Sequence, residues 1–117
     1  MEETKYQIGL LVGRAWMESQ GYDVLHLSSY SCDEGKADLV AKDSEGTTVL
    51  MSVEARRARK AESGPTVSQT KARRVSTSYL VEHPEVESLR FSAMVVRIGD
   101  GNTATVKVED TVWEFER

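Results

Sequence analysis

Residues 35–57 read GKADLVAKDSEGTTVLMSVEARR. Two runs of strand formers, 36–42 and 48–57, flank the turn-forming tetrapeptide DSEG, which predicts a hairpin. Side chains alternate between the faces of a strand. In the second run Val49, Met51, Val53 and Ala55 therefore form one apolar face. Leu50, Ser52, Glu54 and Arg56 form the other, which turns polar toward its end. Glu54 and Arg56 become same-face neighbours, about 7 Å apart along the backbone. Antiparallel pairing through DSEG brings Asp38 near the level of Glu54 or Arg56. Two carboxylates that close, beside a backbone carbonyl, make a hard-oxygen site suited to Mg²⁺ or Mn²⁺. Such an ion lowers the pKa of a bound water and stabilises charge on a reacting phosphodiester. A cross-strand ion pair between Asp38 and Arg56, weak if exposed, is the simpler reading of the same spacing.

Outward from this stretch, Ile8, Leu11, Val12, Ala15 and Trp16 follow helical spacing and predict an amphipathic helix over 5–20, with Gly21 as its stop. Tyr22 to Tyr30 is rich in strand formers. The segment from Arg59 to Pro65 reads as a charged loop, and 66–82 as a second helix ended by His83-Pro84. Residues 90–98 and 103–112 read as strands around GDGN. The expected order is helix, three strands, helix, two strands, which packs as a mixed sheet flanked by helices, an α/β fold. On the second helix Val67, Val75 and Tyr79 mark the inward face, and Lys71 shares it. Such a lysine either snorkels or points at something anionic.

The chain has 117 residues, the size of one ordinary domain. No apolar run approaches the ~20 residues of a membrane span, and the opening MEETKYQ does not read as a secretory signal. The single Cys32 cannot form an internal disulfide, so a reducing cytoplasm is the expected location. His26 and His83 read as structural or surface residues. Net charge is −4, against an overall basic nucleic-acid binder. Yet residues 56–74 hold Arg56, Arg57, Arg59, Lys60, Lys71, Arg73 and Arg74 against Glu62 alone. A basic segment of this kind serves a polyanion even on an acidic protein; a solvated surface offset by acidic neighbours is the plainer alternative.

An Asp on one strand followed by Glu-x-Lys on the next is the core of the PD-(D/E)XK nuclease superfamily, which this chain resembles. The wider pattern resembles the YraN family, small bacterial proteins related to Holliday-junction-resolvase-like endonucleases. The likeness runs over nearly the whole chain: the first helix ending in Gly21-Tyr22, GKADLV, VEARR, the loop with Gly64, the run Lys71-Ala72-Arg73-Arg74, Tyr79-Leu80, and Leu89-Arg90-Phe91. It implies one restriction-endonuclease-like domain over 1–117. It further implies Asp38 and Glu54 as ligands of Mg²⁺ or Mn²⁺, with Arg56 and Lys71 completing the catalytic group. Arg57, Arg59, Lys60, Arg73 and Arg74 would grip the nucleic-acid backbone.

The departures from the family pattern are physical ones. Arg56 replaces the motif lysine and stays protonated, so it cannot act as a base, although it can hold a phosphate. Lys36, Leu10 and Ser92 stand where the family carries acids, which thins the negative field around an ion. Lys36 is two residues from Asp38 and is placed to pair with it. The sequence thus predicts nucleic-acid binding on a nuclease scaffold with a partly dismantled metal site. DNA is the expected partner, branched or single-stranded, with RNA also open. The alternatives are an inactive binding module on the same fold, or a protein-interaction domain using Trp113 and Phe115 of the last strand, including as a homodimer.

Overall fold

The computed structural model describes residues 2–25, 29–57, 65–99, 101 and 103–117. Helix α1 (Glu2–Ser19) is followed by β1 (Asp23–Val24), β2 (Tyr30–Cys32), β3 (Gly35–Ala37), β4 (Leu39–Lys42) and β5 (Thr48–Arg57). Then come α2 (Gln69–Glu82), β6 (Ser88–Ile98) and β7 (Ala104–Glu116). Strands β1-β4-β5-β6-β7 form a five-stranded sheet in that order, and β2-β3 form a separate two-stranded one. β5 and β6 run parallel, joined by the α2 crossover; the other strand pairs are antiparallel.

β5 is covered on both faces, as a strand with a parallel neighbour requires. Its Val49, Met51 and Val53 face packs with Met17 of α1 and with Leu39, Ala41, Met94 and Val96. Its Leu50 face packs with Ala72, Val75 and Tyr79 of α2 and with Leu89, Phe91 and Ala93. The approach of α1 is close: a Cβ on Gly9 would lie 2.9 Å from Ala55 Cβ, and one on Gly13 2.9 Å from Met94 Sδ. The helix stops where expected, with Gly21 at φ +91°, a conformation cheap only for glycine. The DSEG turn forms through Asp43, whose Oδ1 accepts N–H bonds from Glu45 (2.9 Å) and Thr47 (3.0 Å).

Four expectations are corrected. Tyr22 to Tyr30 is not one strand: β1 is two residues long and Tyr30 belongs to β2, while 26–28, His26 included, lie outside the described residues. The expected strand 36–42 breaks at Asp38, so β3 pairs with β2 and β4 with β5. Among the described residues five strands therefore precede α2 instead of three. The second helix begins at Gln69, after its N-cap Ser68, whose side chain accepts the Lys71 N–H. The last strand runs on to Glu116. It passes a bulge opposite Ser92, which is buried and donates its hydroxyl to the Asp110 carbonyl. The tip of the GDGN turn is described only at Gly99 and Gly101. Among the described residues no helix is long and apolar enough to cross a membrane.

Candidate nucleic-acid interface

Asp38 sits at the break between β3 and β4, with 6% of its surface exposed. Its backbone N–H still bonds Met51 O at 2.8 Å. Its side chain turns into the ladder, where Oδ2 accepts the Val53 N–H at 2.7 Å. Oδ1 accepts the Tyr6 hydroxyl from α1 and lies 3.3 Å from Lys36 Nζ. Lys36 Nζ in turn donates to Tyr6 Oη at 3.1 Å and stands 4.7 Å from the centroid of that ring. The pairing expected of Lys36 and Asp38 is present, and Tyr6 is the member that sequence reasoning missed. Burial pushes the Tyr6 phenol up, and its hydrogen bond to Asp38 adds to the rise against an opposing pull from Lys36. The hydrogen bond to Tyr6 raises the Lys36 ammonium in turn, helped by the Asp38 charge and opposed by burial.

Glu54 lies beyond the end of the covered face of β5. Arg56 Nη2 donates to its Oε2 at 3.0 Å. The Thr66 N–H and hydroxyl reach its Oε1 at 3.4 and 3.3 Å, in the segment leading to α2. The ion pair that forms is thus Glu54–Arg56 along one strand; Asp38 takes its partners from Tyr6, Lys36 and the Val53 amide instead. Among the described residues no three His, Cys, Asp or Glu side chains gather closely enough to hold a metal ion. The parallel register of β5 and β6 sets Arg97 beside Arg56. That neighbour was invisible in the sequence, because nothing local announces which residues a crossover aligns.

Lys71 is exposed on α2 and its stem snorkels. A Cβ on Gly35 would lie 2.7 Å from Lys71 Cε and 3.3 Å from Val75 Cγ2. Gly35 has φ +143°, so its conformation and the passing side chain both call for glycine. Arg73 and Arg74 are exposed on the same helix and line an open groove of roughly 600 Å³ shared with Ser31, Cys32, Asp33 and Glu34 of the β2–β3 hairpin. Arg74 Nη1 is 3.8 Å from Glu34 Oε1. Arg57 is exposed at the end of β5; Arg59 and Lys60 lie outside the described residues. His83 caps α2, its ring stacked on Tyr79 at 4.0 Å.

A mixed sheet between two helices, with Glu54 near the end of a central strand and basic residues around the crossover helix, defines an α/β protein with a charged face beside α2. Over 89 residues the chain is 33% identical to a UPF0102 protein of Ralstonia nicotianae (strain ATCC BAA-1114 / GMI1000), a match that spans 69% of this chain and 68% of the relative. The chain belongs to the UPF0102 family, the YraN family that its motifs resemble. No protein-family model matches it.

Proposed function

We propose that the chain binds the sugar-phosphate backbone of nucleic acid through the basic surface around α2 and the end of β5. It does so without a divalent ion and without cleavage, on a scaffold of the PD-(D/E)XK type. The observation that carries this reading is the company of Asp38. An ammonium, a phenol and a backbone amide already surround its two oxygens. A Mg²⁺ or Mn²⁺ ion at Asp38 would have to displace Lys36 and Tyr6, and it would find Glu54 held by Arg56. Each acid carries its own cation, so the negative field that draws a hard ion is largely cancelled. The donor set does not fit the metal that the family likeness implies. Arg57, Lys71 and Arg73 are exposed, Arg56, Arg74 and Arg97 stand near them, and together they make a cationic face, with Arg59 and Lys60 following in the chain. Contacts of that kind bind backbone and carry little sequence selectivity.

The test is fluorescence anisotropy with labelled four-way junction, duplex and single-stranded DNA and with RNA, in EDTA and in Mn²⁺. Equal affinity in both conditions, no product, and roughly tenfold weaker binding in Arg73→Ala/Arg74→Ala is the expected result. Mn²⁺-dependent cleavage abolished in purified Asp38→Ala overturns the reading in favour of a nuclease. Binding indifferent to the double arginine variant removes this surface.

A further inference from the structure

The two edges of the main sheet are built differently. β1 is two residues long, and shortness protects its edge. β7 is thirteen residues long and has no proline, and Ala104, Thr105, Lys107 and Glu109 to Thr111 are exposed along it. A long open edge offers a row of backbone donors and acceptors to another strand. We propose that β7 pairs antiparallel with β7 of a second copy of this chain, centred on Val108, so that two five-stranded sheets become one.

Charge selects both the occupant and the register. Residues opposite each other across an antiparallel pair share a face of the sheet. Lys107 is the one basic residue of β7. It stands beside Val95 and, through it, Glu54, while Glu109 stands beside Ala93 on the α2-side face. Glu114 and Glu116 stand opposite Arg90 and Ser88, on the other face. Asp110 lies in the bulge, its carbonyl taken by Ser92. Glu109 is therefore the acid that a second Lys107 can meet. Centring on Val108 sets each Lys107 against Glu109 of the second copy, with Val108 against Val108, just ahead of the bulge at 110–112. Centring on Lys107, Glu109 or Glu114 sets like charges opposite each other, which is unfavourable. A lysine in mid-edge ordinarily repels strands; here the Val108-centred register is the one that gives each Lys107 an acidic partner on its own face. The proposal uses residues outside the basic surface and does not depend on the nucleic-acid reading.

Sedimentation equilibrium of the full chain tests it, with circular dichroism to confirm that each variant is folded. The wild type is expected to dimerise reversibly. Lys107→Glu and Glu109→Lys are each expected to raise the dimer dissociation constant by about tenfold or more, since one reversal spoils two symmetric pairs. The Lys107→Glu/Glu109→Lys double variant recreates both pairs and is expected to dimerise like the wild type. A wild type still monomeric at about 1 mM overturns the proposal and leaves the edge to a strand of a different protein. A dimer indifferent to the single reversals, or a folded double variant that stays monomeric, also overturns it.

Discussion

Asp38 closes a ladder position with its side chain where the chain has left the strand. The Val53 amide, which β4 begins too late to meet, bonds Oδ2, and the Tyr6 hydroxyl ties Oδ1 to α1. One carboxylate therefore joins the first helix, the break and the central strand. Removing the hydroxyl leaves the buried oxygen one donor short, so Tyr6→Phe should cost about 1–2 kcal/mol; urea denaturation measures it, and an unchanged midpoint would show that the hydroxyl contributes nothing net. The same cluster sets an alkaline limit. Tyr6 is raised from 10.0 and Lys36 from 10.5, so the folded state holds protons that the unfolded chain releases above those values. The contribution of both groups is complete below pH 10 and lost as pH rises through the folded values. Stability should be flat in this respect near neutrality and fall above pH 10, less steeply in Tyr6→Phe. A fall of equal steepness in wild type and variant would exclude Tyr6 as its source.

Among the elements, β5, α2 and the last hairpin were legible because each has a local signature: alternating strand formers, a helical stripe ended by His83-Pro84, a glycine turn; the start of α2 at Ser68 was not among them. The break at Asp38 was not. Residues 36–42 alternate well enough for one strand, and what ends β3 is the capture of an amide fifteen residues away. The β2–β3 hairpin that results hangs on α2 through Gly35. Gly35→Ala should cost about 1–3 kcal/mol, because the methyl meets Lys71 and Val75 at a φ that disfavours side chains. Hydrogen exchange should quicken first in 30–37; a uniform change over the sheet would mean that the hairpin is not a separate unit. At the opposite end of the sheet, Arg90 donates to Asp43 at 3.0 Å and to Tyr22 at 2.8 Å, fastening β6 to the DSEG turn and to the chain just before β1. Burial alone would raise Asp43, but Arg90 and the Thr47 and Glu45 amides outweigh it and hold the carboxyl below 3.8. Arg90→Ala leaves that acid unpaired and should cost about 2–3 kcal/mol at neutral pH, with the difference from wild type shrinking as pH falls through the depressed value.

Over the whole chain, charge is segregated: a net −4 molecule carries seven of its fifteen lysines and arginines within 56–74. That much was legible, as was the pairing of Lys36 with Asp38, since both follow from short spacing. Arg97 beside Arg56, Tyr6 on Asp38 and Glu34 on Arg74 were not, because they depend on how distant elements meet. The last of these bears on function. The Arg74–Glu34 contact is 3.8 Å long and both side chains are about half exposed, so it is weak and open to competition. On the proposed function, a phosphate at the groove would compete with Glu34 for Arg74. Glu34→Gln removes the competitor without changing shape and should tighten backbone binding several-fold at low salt, while Arg73→Ala/Arg74→Ala should reduce the slope of log K against log salt by about 2 on duplex DNA. Because the Glu34 effect acts through Arg74, it should vanish when Glu34→Gln is combined with Arg74→Ala. Anisotropy titrations over a salt series read all three. A Glu34→Gln gain that survives the loss of Arg74 would mean that the acid acts through the general field of the groove, and the ion pair would then have no part in controlling access to it.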